Sequence, residues 1–279
     1  MEGNMLKDLI AIVDNGDTAR SFIKNAIAFA AAQDAHLAIS LMMDIFENAA
    51  VLPPFDYYPV ILDRIDDEEK RRSGAVRAAL EGAPIAVELR SVSDSLGYLG
   101  GASRVEGRYA DLLLIGGASA FENQKLRRRS LQAAITASGG PVLVLPDTAK
   151  LERVRHAVLG WDASSEARRA ARDLIDVAEP AATIDVVCVD PEPSHEGHGP
   201  APGCDIARHL ARHGFKVDVH VISSSGKRVS AALETFAHDT GADLLAIGAF
   251  AHSRVRDILL GGVTRDLIDE VTLPVLMSR

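Results

Sequence analysis

Cysteine is nearly absent: Cys188 and Cys204 are the only two in 279 residues. At most one disulfide is available, so cross-linking does not hold the fold, and a reducing, cytoplasmic location is expected. Long apolar runs are missing too, and none approaches the roughly 20 residues needed to span a bilayer. The start, from Met1 to Ile10, lacks the basic head, apolar centre and small-residue cleavage site of a secretion signal. Cations are in deficit, with 30 Lys+Arg against 39 Asp+Glu and a net charge of −9. That balance argues against nucleic-acid and membrane-surface binding, since both require attraction to fixed anions. Hydrophobic residues, at 47%, are abundant enough to bury a core. The length implies two domains of ordinary size.

The most informative feature is an internal repeat. Residues 110–117, Ala-Asp-Leu-Leu-Leu-Ile-Gly-Gly, return at 242–249 as Ala-Asp-Leu-Leu-Ala-Ile-Gly-Ala. Asp14 and Asp162 each close an apolar run. The helical stripe Ala19, Phe22, Ile23, Ala26, Ile27, Ala30 stands at the same offsets from Asp14 as Ala167, Ala170, Ala171, Leu174, Ile175, Ala178 from Asp162. Pro141 and Pro274 each lead a further apolar run. Two copies of one module follow.

Within each copy, short continuous apolar runs alternate with amphipathic segments of helical length, the pattern of parallel strands covered on both faces. Strands are expected near 6–13, 36–43, 84–90, 111–116 and 141–145, then near 154–161, 183–189, 216–222, 243–247 and 274–278. The fold class predicted is α/β, as two tandem Rossmann-like domains, each a five-stranded parallel sheet flanked by helices. The domains are expected at 1–148 and 149–279, the link lying near 146–152. The first carries an insertion from Ile45 to Val60 with Pro53, Pro54, Phe55, Tyr57 and Tyr58, read as a surface excursion or as a lip over a cleft.

In open parallel sheets, ligands bind outside the carboxyl ends of the strands. The loop there in the second module runs from Gly248 through Ala251, Gly261 and Gly262 to Thr264 before an amphipathic stretch. Glycines ahead of a helix let backbone N–H groups close around an anion. Asp closing strand one, Ala-Asp-Leu-Leu-x-Ile-Gly closing strand four, and a spaced glycine loop beyond it together resemble the universal stress protein family, as two domains of the adenine nucleotide alpha hydrolase-like type. The resemblance implies ATP or AMP in the C-terminal domain, held by Asp162, Ala163, Val189, Gly248, Ala251, Gly261 and Gly262. Ala251 and Gly262 depart from the family's pattern, standing where Gly and Ser or Thr belong. In the first module Arg128 and Arg129 fall opposite Gly261 and Gly262, so no phosphate cradle is expected. Lys125, Arg127, Arg128 and Arg129 there read as a solvated basic face or as an anion site.

His195, His198, Cys204, His209 and His213 lie close enough in sequence to raise zinc. Their spacing against the Ile206/Leu210 stripe favours buried or solvated histidines, so no metal is expected. No nucleophile elbow or Walker loop occurs, and no catalytic residue is assigned. The leading expectation is a stress-response protein whose C-terminal domain binds an adenine nucleotide in a regulatory, non-catalytic way, acting on an unknown protein partner. A slow ATPase and a scaffold that has lost nucleotide are the alternatives. The resemblance further implies an intramolecular pseudo-dimer of the two modules, or a homodimer.

Overall fold

The computed structural model describes residues 6–45, 58–192, 200–249 and 272–279. The first half runs β1 (Asp8–Val13), α1 (Arg20–Ala32), β2 (His36–Asp44), α2 (Tyr58–Leu80), β3 (Val87–Asp94), α3 (Leu96–Glu106), β4 (Leu112–Gly116), α4 (Gln124–Ala137) and β5 (Val142–Leu145). The second runs β6 (Val154–Gly160), α5 (Ser165–Val177), β7 (Ala178–Val189), α6 (Cys204–Arg212), β8 (Lys216–Ile222), α7 (Val229–Thr240), β9 (Leu244–Gly248) and β10 (Val275–Ser278). The predicted apolar runs are these strands, displaced by a few residues at their ends. β7 is the largest departure. Its first residue, Ala178, was expected to extend the stripe of α5, but Pro180 forces the residue before it out of helical geometry and the chain is already extended there.

Two separate five-stranded parallel sheets were expected, and the structure overturns this. Among the described residues there is one ten-stranded mixed sheet, in the order β3-β2-β1-β4-β5-β10-β9-β6-β7-β8. Pairing is parallel within each half. At the centre β5 and β10 pair antiparallel, with Val144 opposite Val275, Leu143 opposite Leu276 and Val142 opposite Met277. The physical reason lies in those two strands. Each would otherwise end its half-sheet with a row of unpaired N–H and C=O groups. Both are buried along their whole length, so water cannot satisfy those groups. Pairing them removes two edges at once, a result that periodicity inside each half does not report.

The strand order moves outward from β1 to β3, then jumps back to β4 and β5. Right-handed crossovers therefore put α1 and α2 on one face and α3 and α4 on the other. The jump also creates a switch point between β1 and β4, and an equivalent one between β6 and β9. These are the two places where the fold offers a crevice.

The repeated Ala-Asp pair has a structural task. Asp111 accepts the backbone N–H groups of Lys7 and Asp8 at 2.7 and 3.0 Å. Asp243 does the same for Arg155 and His156 at 2.8 and 2.9 Å. Each carboxylate ties the start of its strand to the entry of the neighbouring one, which fixes their parallel register at the switch point.

Candidate functional site

The two crevices start from equivalent aspartates that differ in exposure among the described residues. In the N-terminal half, Asp14 follows β1 and is fully buried. Its carboxylate accepts the backbone N–H groups of Glu122 and Asn123 at 3.1 and 2.7 Å, in the turn ahead of α4. Burial holds this carboxyl above its usual range, against the opposing pull of those two N–H groups and of Arg72.

Arg72 reaches in from α2, donates to the Asp14 carbonyl at 3.0 Å and pairs with Glu68 at 2.5 Å. Glu122, 3.5 Å from the same guanidinium, also accepts from the Asn15 amide at 2.9 Å. From the other side Arg127 of α4, 1% exposed, donates its Nε–H to the carbonyl of Gly116 at 2.9 Å. Gly16 completes the seal: a Cβ there would lie 2.3 Å from the backbone nitrogen of Val76, so α2 rests directly on the loop after β1. The carboxyl ends of β1 and β4 are thus filled by the protein's own charged side chains. This corrects the reading of Arg127 as part of a solvated face; Lys125, Arg128 and Arg129 are exposed as expected. The Asn123 side chain caps α4, accepting from Lys125 and Leu126 N–H.

In the C-terminal half the equivalent aspartate is exposed. Asp162 follows β6 and is solvent-exposed, its Oδ1 accepting the N–H of Ser164 at 3.0 Å. Ala163 sits in the left-handed region at φ 60°, which costs an alanine about 1 kcal/mol and turns the chain sharply into α5. Ser164 then caps α5, accepting the N–H of Ala167 at 3.1 Å. Val189 ends the adjacent strand, half-buried. Asp162 and Val189 each stand two residues beyond the paired Gly160 and Val187, so they share one end of the sheet.

Gly248 closes β9, and its Cβ position would lie 2.4 Å from the Ala167 nitrogen and 2.5 Å from the Glu166 carbonyl carbon. Only glycine lets this strand end approach the first turn of α5. Ala251, Gly261 and Gly262, the remaining residues expected at the site, lie outside the described residues, as does most of the aromatic insertion. Beneath the crevice, burial pushes the Cys188 thiol up to about 11, which keeps it protonated and unreactive. The described part of the crevice therefore offers an exposed carboxylate acceptor, a half-buried aliphatic wall and a close-packed glycine. That set suits a polyol carrying a flat apolar ring; the filled N-terminal crevice does not.

Two polar arrangements lie away from the crevice. Among the described residues no group of three His, Cys, Asp or Glu has the geometry to hold a metal ion. His209 and His213 instead pack edge to face at 4.8 Å, and His195 and His198 lie outside the described residues. Sequence reasoning missed a second arrangement. Asp185 of β7, almost fully buried, receives His156 Nε2 of β6 at 2.7 Å and His220 Nε2 of β8 at 3.0 Å. Its signal was available: Asp185 is the one charged residue in the run Ile184 to Val189, and His156 and His220 fall at positions of the same face.

Comparison with known proteins is consistent with this geometry. Residues 153–279 match the model of the universal stress protein family. A 70-residue stretch is 31% identical to Universal stress protein Slr1230 of Synechocystis sp., covering 25% of this chain and 23% of that protein's length. In fold, the chain is similar to a universal stress protein from Archaeoglobus fulgidus DSM 4304, with a TM-score of 0.69 and 13% identity over 98% of this chain and 96% of that one. A putative universal stress protein from Pseudomonas aeruginosa UCBPP-PA14 gives a TM-score of 0.55 at 14% identity, covering 99% and 94%. The C-terminal half is thus universal stress protein-like in sequence, and the whole chain is similar to universal stress proteins in fold. Among the described residues no helix is long and apolar enough to cross a membrane.

Proposed function

We propose that this protein is a tandem universal stress protein of the cytoplasm, in which the module at 149–279 binds an adenine nucleotide, ATP or AMP, as a regulatory ligand, while the module at 1–148 is permanently closed. One observation carries the reading: of two equivalent aspartates, Asp14 is buried under two backbone N–H donors and Asp162 is exposed at the mouth of its crevice. The family match falls on the half whose aspartate is exposed. In this reading Asp162 accepts ribose hydroxyls, Ala163 and Val189 flank the adenine, and Gly248 sets the backbone position. Ala251, Gly261 and Gly262 approach the phosphates. The ligand's role is to bias the surface seen by a protein partner rather than to be consumed.

Native mass spectrometry of the freshly purified protein, before and after denaturation, tests this. A retained adenine nucleotide, released on denaturation and lost in Asp162→Ala, is the expected result. Protein that carries none, and takes up none when ATP is added, contradicts the proposal. Steady release of phosphate above the Asp162→Ala background would convert the regulatory site into a catalytic one.

A further inference from the structure

The molecule is acidic overall, yet one face of it is not. α3 and the start of α4 form a surface on which Arg104, Arg108, Lys125 and Arg129 are exposed. None of the four has a carboxylate partner among the described residues. Acids of this region are engaged elsewhere: Glu106 pairs with Arg90 at 3.0 Å, Glu122 lies 3.5 Å from Arg72, and Asp111 receives the N–H groups of Lys7 and Asp8. The same helix and the turn after it also carry exposed apolar side chains. Tyr98 is 64% exposed, Val105 45% and Tyr109 78%. Tyr98 and Val105, seven residues apart, share one side of α3, and Tyr109 is exposed on the single 3₁₀ turn that extends it. The row is about 17 Å long at the helical rise.

The surface is also rigid. Ser103 of α3 donates to the Ser130 carbonyl of α4 at 2.9 Å in a buried bond, and Gly100 lies 3.0 Å, measured from its Cβ position, from Cβ of Arg129. Beside the row, Gly97 and Gly101 stand one turn apart with open space over both. Glycine is a poor helix former, and two at an exposed face leave a shallow floor where another backbone can come close.

We propose that this α3–α4 face docks an acidic amphipathic segment of a partner protein. Charge complementarity selects the occupant's sign, because four cations without acidic partners among the described residues concentrate positive potential on a molecule of net charge −9. The apolar row selects its form: tyrosine and arginine are the residues that dominate protein–protein contacts, and a row of this length matches about three turns of a helix. A long nucleic acid meets the same cations but suffers repulsion from the rest of the molecule, whereas a short acidic segment is held within the patch. The site is independent of the nucleotide crevice.

The test uses the full chain and a fluorescein-labelled amphipathic peptide of about three to four turns, with a leucine stripe flanked by glutamates. Controls are the same peptide with lysine for glutamate, and single-stranded oligouridylate. The acidic peptide is expected to bind saturably, more weakly as salt rises, and the lysine peptide not at all. Arg104→Glu/Arg108→Glu should weaken binding by about tenfold or more, and Tyr98→Ala/Tyr109→Ala severalfold, with thermal melting unchanged in both. The proposal is overturned if the acidic peptide does not bind, or binds the charge-reversed variant equally well. Oligouridylate binding that depends on Arg104 and Arg108, without peptide binding, assigns the face to nucleic acid and overturns it as well.

Discussion

Asp185 and Glu68 show how single charged residues are held in this fold, and each makes a prediction. Asp185 is buried between two partly exposed imidazoles, so Asp185→Ala removes the acceptor that both rings share. Chemical denaturation should show a loss of about 1–2 kcal/mol, whereas a structure in which His156 and His220 are simply solvated would lose well under 1 kcal/mol. Glu68 is pulled from 4.5 to about 2, chiefly by its hydrogen bond to Arg71 and then by Arg72. Its contribution to stability is present above about 4.5 and is lost as pH falls toward about 2. Asp14 acts with the opposite sign: burial raises its pKa, so the cost of its charge is relieved as pH falls through the folded value. Unfolding midpoints measured from about pH 6 downward should fall less steeply in Glu68→Gln than in the parent. An identical acid limb in the two proteins would mean that the Arg71–Glu68–Arg72 cluster does not form in solution.

At the scale of elements, the glycines that end β4 and β9 occupy equivalent positions with different neighbours. A Cβ on Gly116 would meet the side chains of Ala120 and Phe22, while one on Gly248 would meet the backbone of α5. Backbone cannot rotate aside. Gly248→Val should therefore cost about 2–3 kcal/mol by displacing the first turn of α5, and should abolish nucleotide retention. If melting and retention match the parent, the close approach of β9 to α5 is wrong.

These elements were largely legible beforehand, because a buried strand needs a continuous apolar run and a helix on a sheet needs a 3.6-residue stripe. The seal of the N-terminal crevice was not. Arg127 reads as one more cation in Lys125 to Arg129, and only its position on α4, turned inward behind the Gly116 carbonyl, makes it a buried plug. Asp14 and Asp162 are likewise indistinguishable in their local sequence. Asp14 is covered in part by α2, whose Arg72 and Val76 arrive from more than fifty residues away.

Over the whole molecule, the decisive contact is the antiparallel seam of β5 and β10. A repeat visible in sequence announces two modules but is silent on how their edges meet, since Val142 to Leu145 and Val275 to Ser278 would look the same in separate sheets. Sharing one sheet couples the halves. Scanning calorimetry should give a single unfolding transition, and two resolved transitions would show that the seam does not bind them together. In the proposed function, a half closed by its own Asp14, Arg72 and Arg127 serves as a fixed support for the half proposed to exchange ligand. The most direct test of that account is titration calorimetry of the intact chain with ATP and with AMP. One site per chain is predicted, lost in Asp162→Ala and unchanged in Lys125→Ala. Two sites, or binding that survives the loss of the Asp162 carboxylate, would contradict it.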